Sequence, residues 1–164
     1  MQLYRGSADG CRASYYLLDE LFTSPLAKVP LWRALGTLLR AQLALVARAG
    51  AGASRTFLAR AVSAIEETER TAMPCCEVDV LLLRAVIAVV EGRREQALQA
   101  LDAVLRTPHD ATQPPLALLF ALRARGQVQA GSEGKAAIAR AEEALARRGV
   151  VNPRRFARLF LWVN

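Results

Sequence analysis

The chain has 164 residues, 53% of them hydrophobic, 23% charged and 6% aromatic, and 22 basic against 15 acidic side chains give a formal charge of +7. That length suits one domain or an array of small helical units able to bury roughly 68–70% of its unfolded surface, and the apolar content excludes wholesale disorder. The longest uncharged run, Ala111 to Leu122, has twelve residues including two prolines, against the roughly 20 that a membrane-spanning helix requires.

Strict apolar–polar alternation is missing throughout, and the Ala, Leu, Arg and Glu content favours helices, so about seven or eight of them are predicted. The stretch Gly6 to Gly10 precedes the first, which runs to about Phe22. Ser24-Pro25 and Pro30 open a second, Leu31 to Ala49, with Leu35, Leu38, Leu39, Leu43 and Val46 on one face and Trp32 leading that face into the core. Gly50-Ala51-Gly52 is a turn, and Ser54 is the expected N-cap of a third segment ending near Ala72. The fourth, about Cys76 to Glu91, is apolar around most of its circumference and is expected to be buried on several sides.

Gly92 ends that helix, and Arg94 to Arg106 forms a shorter amphipathic one. A loop through Pro108, Pro114 and Pro115 leads to a sixth, Leu116 to Ala130. Gly131 and Gly134 precede a seventh, stopped by Gly149. Asn152-Pro153 then caps and starts a short last helix, with proline at the first position, where a missing N–H removes no bond. Three times a helix ends in glycine with a small residue five positions on: Gly6 with Cys11, Gly92 with Ala97, and Gly131 with Ala136. Such residues are expected where two helices cross closely.

The three cysteines, Cys11, Cys75 and Cys76, are odd in number and two are adjacent, which excludes a disulfide framework. The single histidine, His109, stands in a loop, so a set of about four zinc ligands cannot be assembled and no metal or cofactor is expected. The acids cluster as Glu66, Glu67 and Glu69, or as Glu142 and Glu143, on faces that read as solvated. With no convergent acid–base or nucleophilic set, the chain reads as no enzyme and offers no catalytic residue. Free thiols and the lack of a charged-then-apolar leader predict a cytoplasmic protein.

Of the basic residues 20 are arginines, and the accompanying 31 alanines and 25 leucines have the look of GC-rich bacterial coding, so arginine number alone says little. Its placement says more. After Glu143 no acid follows, while Arg147, Arg148, Arg154, Arg155 and Arg158 do. Phe156, Leu159 and Phe160 form an apolar stripe at helical spacing with Trp162 beyond, so the final segment, 152–164, reads as a capping helix over the end of an array, with membrane-surface and nucleic-acid contact as the alternatives.

The segment Gly92-Arg-Arg-Glu-Gln-Ala97-Leu-Gln-Ala-Leu101-Asp-Ala-Val104-Leu-Arg-Thr-Pro108 resembles the second half of a tetratricopeptide repeat, with the glycine, the alanine, the larger apolar residues and the closing proline in order; Gly131 follows Gly92 by 39 residues, a helical-repeat period. The stretch Ala141 to Leu159, with Gly149-Val-Val-Asn152-Pro153 at its centre, resembles the end of tetratricopeptide-like arrays in large bacterial (myxobacterial-type) serine/threonine kinases and related signal-transduction ATPases. The resemblance implies an all-α fold in which antiparallel helix hairpins stack as a right-handed solenoid over 1–164. It also implies a sensory or protein-binding role, with catalysis elsewhere in the polypeptide. A plain antiparallel helix bundle is the alternative. Met1-Gln-Leu-Tyr4-Arg-Gly6 resembles the end of a truncated helix, which suggests a C-terminal fragment or a short gene descended from a larger signalling protein.

Two functions follow. The first is a non-catalytic protein–protein interaction module that takes a peptide, a helix or another copy of itself (a homodimer) in a helical groove, with Arg84, Arg123 and Arg125 as groove cations and an apolar N-terminal edge left open. The second is nucleic-acid or anionic-surface binding through Arg154, Arg155 and Arg158, aided by Phe156, Phe160 and Trp162. It stands behind the first because aromatics for stacking are few.

Overall fold

These segments fold almost entirely as helices in a computed structural model that describes residues 7–48, 54–108 and 115–157. Among the described residues there are eight α-helices and no strand. They are α1 (Ala8–Leu21), α2 (Pro30–Ala47), α3 (Ser54–Arg70), α4 (Glu77–Val90), α5 (Arg94–Leu105), α6 (Leu116–Gln129), α7 (Gly131–Arg147) and α8 (Pro153–Ala157). Short 3-10 turns at Pro25–Lys28 and Pro74–Cys76 lead into α2 and α4. The Gly50 turn, Gly6, His109 and the end of the chain beyond Ala157 lie outside the described residues.

Local chemistry sets the boundaries. Ser7 caps α1, its Oγ accepting the Gly10 N–H at 3.1 Å, so Gly10 lies inside the helix and does not precede it. Asn152 caps α8 by accepting the Arg155 N–H on Oδ1 at 2.9 Å, with Pro153 at the first helical position, as the sequence predicts. α3 begins at Ser54 itself, which makes that serine a first-turn residue. Gly92 (φ 73°) and Gly149 (φ 79°) end α4 and α7 in the same left-handed motif. In each, the next N–H reaches back five residues, Arg93 to Ala88 at 2.8 Å and Val150 to Leu145 at 3.1 Å.

The chain divides into two compact units, Met1–Val80 and Leu81–Asn164, with the division inside α4. In the first unit α2 is the shared partner. Asp19 meets Arg40 while Phe22 stands against Gly36, so α1 and α2 run antiparallel. α1 and α3 run parallel, because Arg12 lies over Phe57 and Tyr16 accepts from Arg60. Cys11, Tyr15 and Leu18, at helical spacing along α1, pack with Ala34, Leu38 and Ala41 of α2 and Phe57, Ala61 and Ile65 of α3 in the buried core. Thr37 and Thr68 are buried there because each hydroxyl donates one turn back, to Arg33 O at 2.8 Å and Ala64 O at 3.0 Å.

In the second unit α5, α6 and α7 pack in sequence order. Arg94 donates to the carbonyls of Val128 and Gln129 at 3.0 and 2.7 Å, and Arg125 pairs with Asp102, which runs α6 antiparallel to α5. The α6–α7 link is the single residue Ala130, held at φ 58°, ψ −168°, a region that glycine occupies far more readily and that costs an L-residue about 1–3 kcal/mol. Just beyond it the two backbones nearly touch. A Cβ on Gly126 would lie 2.6 Å from the Gly134 carbonyl oxygen. The close approach expected at Gly131 with Ala136 is therefore made by Gly126 with Gly134, while Ala136 is exposed: the tight link places residue 134, and not 136, against α6. Ala97 is fully buried, as its spacing predicts.

Candidate functional site

The arginines singled out in the sequence are mostly taken up by partners inside the fold. Arg123 is only 7% exposed, and its Nε donates to Glu142 Oε1 at 3.0 Å across the α6–α7 contact. Burial of a guanidinium demands such a partner, which assigns Arg123 a place in the packed interior, away from any solvent-facing groove. Arg125 donates to Asp102 Oδ1 at 2.6 Å and to Gln129 Oε1 at 2.6 Å, tying α6 to α5. Arg84 stands on the exposed side of α4.

The start of the C-terminal helix packs back onto the same unit. Phe156 stacks on Phe120 with ring centroids 5.6 Å apart, and Arg154 lies 3.5 Å from Glu142, which thus serves two arginines. Arg155 is exposed. Arg158, Phe160 and Trp162 lie outside the described residues. Phe156 is therefore brought together with Phe120, and Arg154 with Arg123 through a shared carboxylate.

The surface that the site residues missed lies in the first unit. Of the large apolar side chains exposed among the described residues, all but Val151 fall between Tyr16 and Leu35. Trp32, expected in the core, is 58% exposed. The reason is that α2 carries two apolar stripes. Ala34, Leu38 and Ala41 are buried in the core, whereas Trp32, Leu35 and Leu39, also at helical spacing, open onto the surface beside the end of α1. Along α1 the same split separates buried Tyr15 and Leu18 from exposed Leu17 and Leu21.

Between the end of α1 and α2 runs a groove of about 330 Å³. Leu18, Leu21 and Phe22 form one wall, Trp32, Leu35 and Leu39 the other, and Leu26 and Ala27 of the 3-10 turn close one end. Gly36 keeps the floor open: a Cβ there would stand 3.0 Å from the Phe22 ring. Ser24 contributes the one polar side chain of the lining, and none is ionisable. The groove therefore presents apolar area and shape, with nothing to move a proton.

Behind it an arginine–aromatic cluster fixes α1 to its neighbours. Arg40 pairs with Asp19 at 2.8 Å and lies 4.8 Å above Phe22, while Arg60 sits 5.2–5.5 Å from the Tyr15, Tyr16 and Phe57 rings. Each such contact contributes on the order of 0.5–1 kcal/mol at a partly exposed site. Through Phe22 this cluster helps hold one wall of the groove, and a preformed apolar surface binds at a lower entropy cost than one that must be ordered.

A density of apolar residues around two prolines, from Leu21 to Trp32, was the available signal for this edge. Among the described residues no group of three or more His, Cys, Asp or Glu side chains is placed to hold a metal ion, and no helix is long and apolar enough to cross a membrane. The chain matches no protein-family model, no curated protein and no solved structure.

Proposed function

We propose that the chain is a non-catalytic protein–protein interaction module that seats an apolar stretch of another polypeptide along the α1–α2 edge. One observation carries this reading: the exposed large apolar side chains are concentrated on one edge around a preformed groove, where monomers expose such residues singly. A helix laid in the groove would insert side chains at i, i+3 or i+4, and i+7 between Leu21 and Trp32.

The packing of α1, α2 and α3, antiparallel then parallel, agrees with the stacked hairpins of a tetratricopeptide-like solenoid, and so supports that architecture for the first unit. In this reading the module belongs to a bacterial signalling protein, the setting its resemblance implies. The arginine-rich C-terminal segment then serves as a cap, in keeping with Phe156 stacked on Phe120 and Arg154 drawn to Glu142.

The test is capture from host lysate at physiological salt, with nuclease, by the full chain and by Leu21→Glu and Trp32→Glu variants. Protein retained by the parent chain and lost from both variants is the expected result. Binding that vanishes with nuclease, or that survives both substitutions, would transfer the function to the basic C-terminal region.

A further inference from the structure

We infer that the polypeptide seated on the α1–α2 edge is a second copy of this chain, the two edges meeting face to face about a twofold axis. This rests on the reading of that edge as an interaction surface and names its occupant.

Area is the first argument. Seven side chains between Leu17 and Leu35 are each 41–61% exposed, leaving aside Tyr16, which turns toward Arg60 of α3. Together they present on the order of 800 Å², the share of one partner in an interface of standard size. A lone monomer rarely leaves so large an apolar patch open.

The second argument is charge. The chain carries +7, so the partner it attracts through solvent is acidic. Yet along this edge Asp19, Glu20, Lys28, Arg33 and Arg40 sum to only +1. An acidic partner gains little at this edge. Two identical basic chains, by contrast, meet there with little of their excess charge at the contact. A twofold contact uses the same patch on both copies, and this patch is a single stretch of chain around one groove.

An apolar seam between two basic bodies has a diagnostic salt response. Salt screens the repulsion between the copies and leaves the seam intact, so association tightens as salt rises, the reverse of phosphate or acidic-partner binding.

Sedimentation of the full chain across micromolar concentrations, at low and high salt, tests this. The expected species has twice the 17.8 kDa chain mass and is favoured at high salt. Trp32→Glu and Leu26→Glu, both at exposed positions, should each raise the dissociation constant at least tenfold with the helical circular dichroism unchanged. Val151→Glu, at a 99% exposed apolar residue outside α1 and α2, should leave it unchanged. A monomer at every concentration, a dimer that salt dissolves, or a dimer as sensitive to Val151→Glu as to Trp32→Glu overturns the inference. A monomer would still leave capture of a different protein to decide the broader reading.

Discussion

Cys11 and Cys76 are buried among packed helices, and burial pushes both thiols up to about 11, whereas Cys75 is exposed on the turn before α4. The thiolate is the reactive form, so the two buried groups are doubly protected, by access and by protonation. Alkylation near neutral pH should modify Cys75 alone in the native chain and all three cysteines in denaturant, as peptide mass mapping would show. Cys11 as a small interhelical residue was legible in the sequence, because its spacing alone puts it on the inner stripe of α1. Trp32 was not. Its apolar character and position say that it lies on an apolar face, but not that α2 has two such faces and a partner for only one.

The helix contacts are decided by a few groups whose removal has predictable sign. Alanine is normally favoured over glycine in a helix by about 1 kcal/mol. At Gly126 and Gly134 the added Cβ would instead strike a backbone carbonyl of the facing helix, which cannot swing aside. Overpacking at about 1–3 kcal/mol or more wins, so Gly126→Ala should lower the urea midpoint. Glu142 is a second such group. Glu142→Ala leaves buried Arg123 without its carboxylate, an expected loss of about 2–4 kcal/mol, while the Arg123→Met, Glu142→Ala double variant should lose less than the single one.

Asp79, in the first turn of α4, gives a pH dependence. Desolvation holds it above its usual 3.8, so the folded chain keeps a proton that the unfolded chain has released between that value and the folded one. Its contribution to stability is therefore full below the unfolded value and falls as pH rises through the folded one. Asp79→Asn should flatten that decline in urea midpoints measured from strongly to weakly acidic pH. The helices themselves were largely legible, because glycine, proline and cap residues punctuate the sequence, and Asn152-Pro153 behaves as read. The small-residue spacing was misleading at Gly131, where the one-residue link moves the crossing to Gly134.

For the whole chain, charge and apolar surface point to different regions. The basic excess gathers after Glu143, but within the described residues much of it is engaged: Arg147 pairs with Glu143 and Arg154 lies near Glu142. Exposed apolar area gathers instead on the nearly neutral α1–α2 edge. An all-α chain was legible from composition and periodicity, whereas the exposed edge along α1 and α2 was not, since Trp32 read as core. Exposure depends on which helices stand beside one another. Hydroxyl-radical footprinting of the full chain in nuclease-treated host lysate, compared with the dilute purified chain, reads out whether the α1–α2 edge is covered. Protection of Leu17, Leu26 and Trp32, with Val151 unchanged, is the result the structure predicts. Unchanged reactivity along the edge, with protection confined to the arginine-rich C-terminal region, would contradict it.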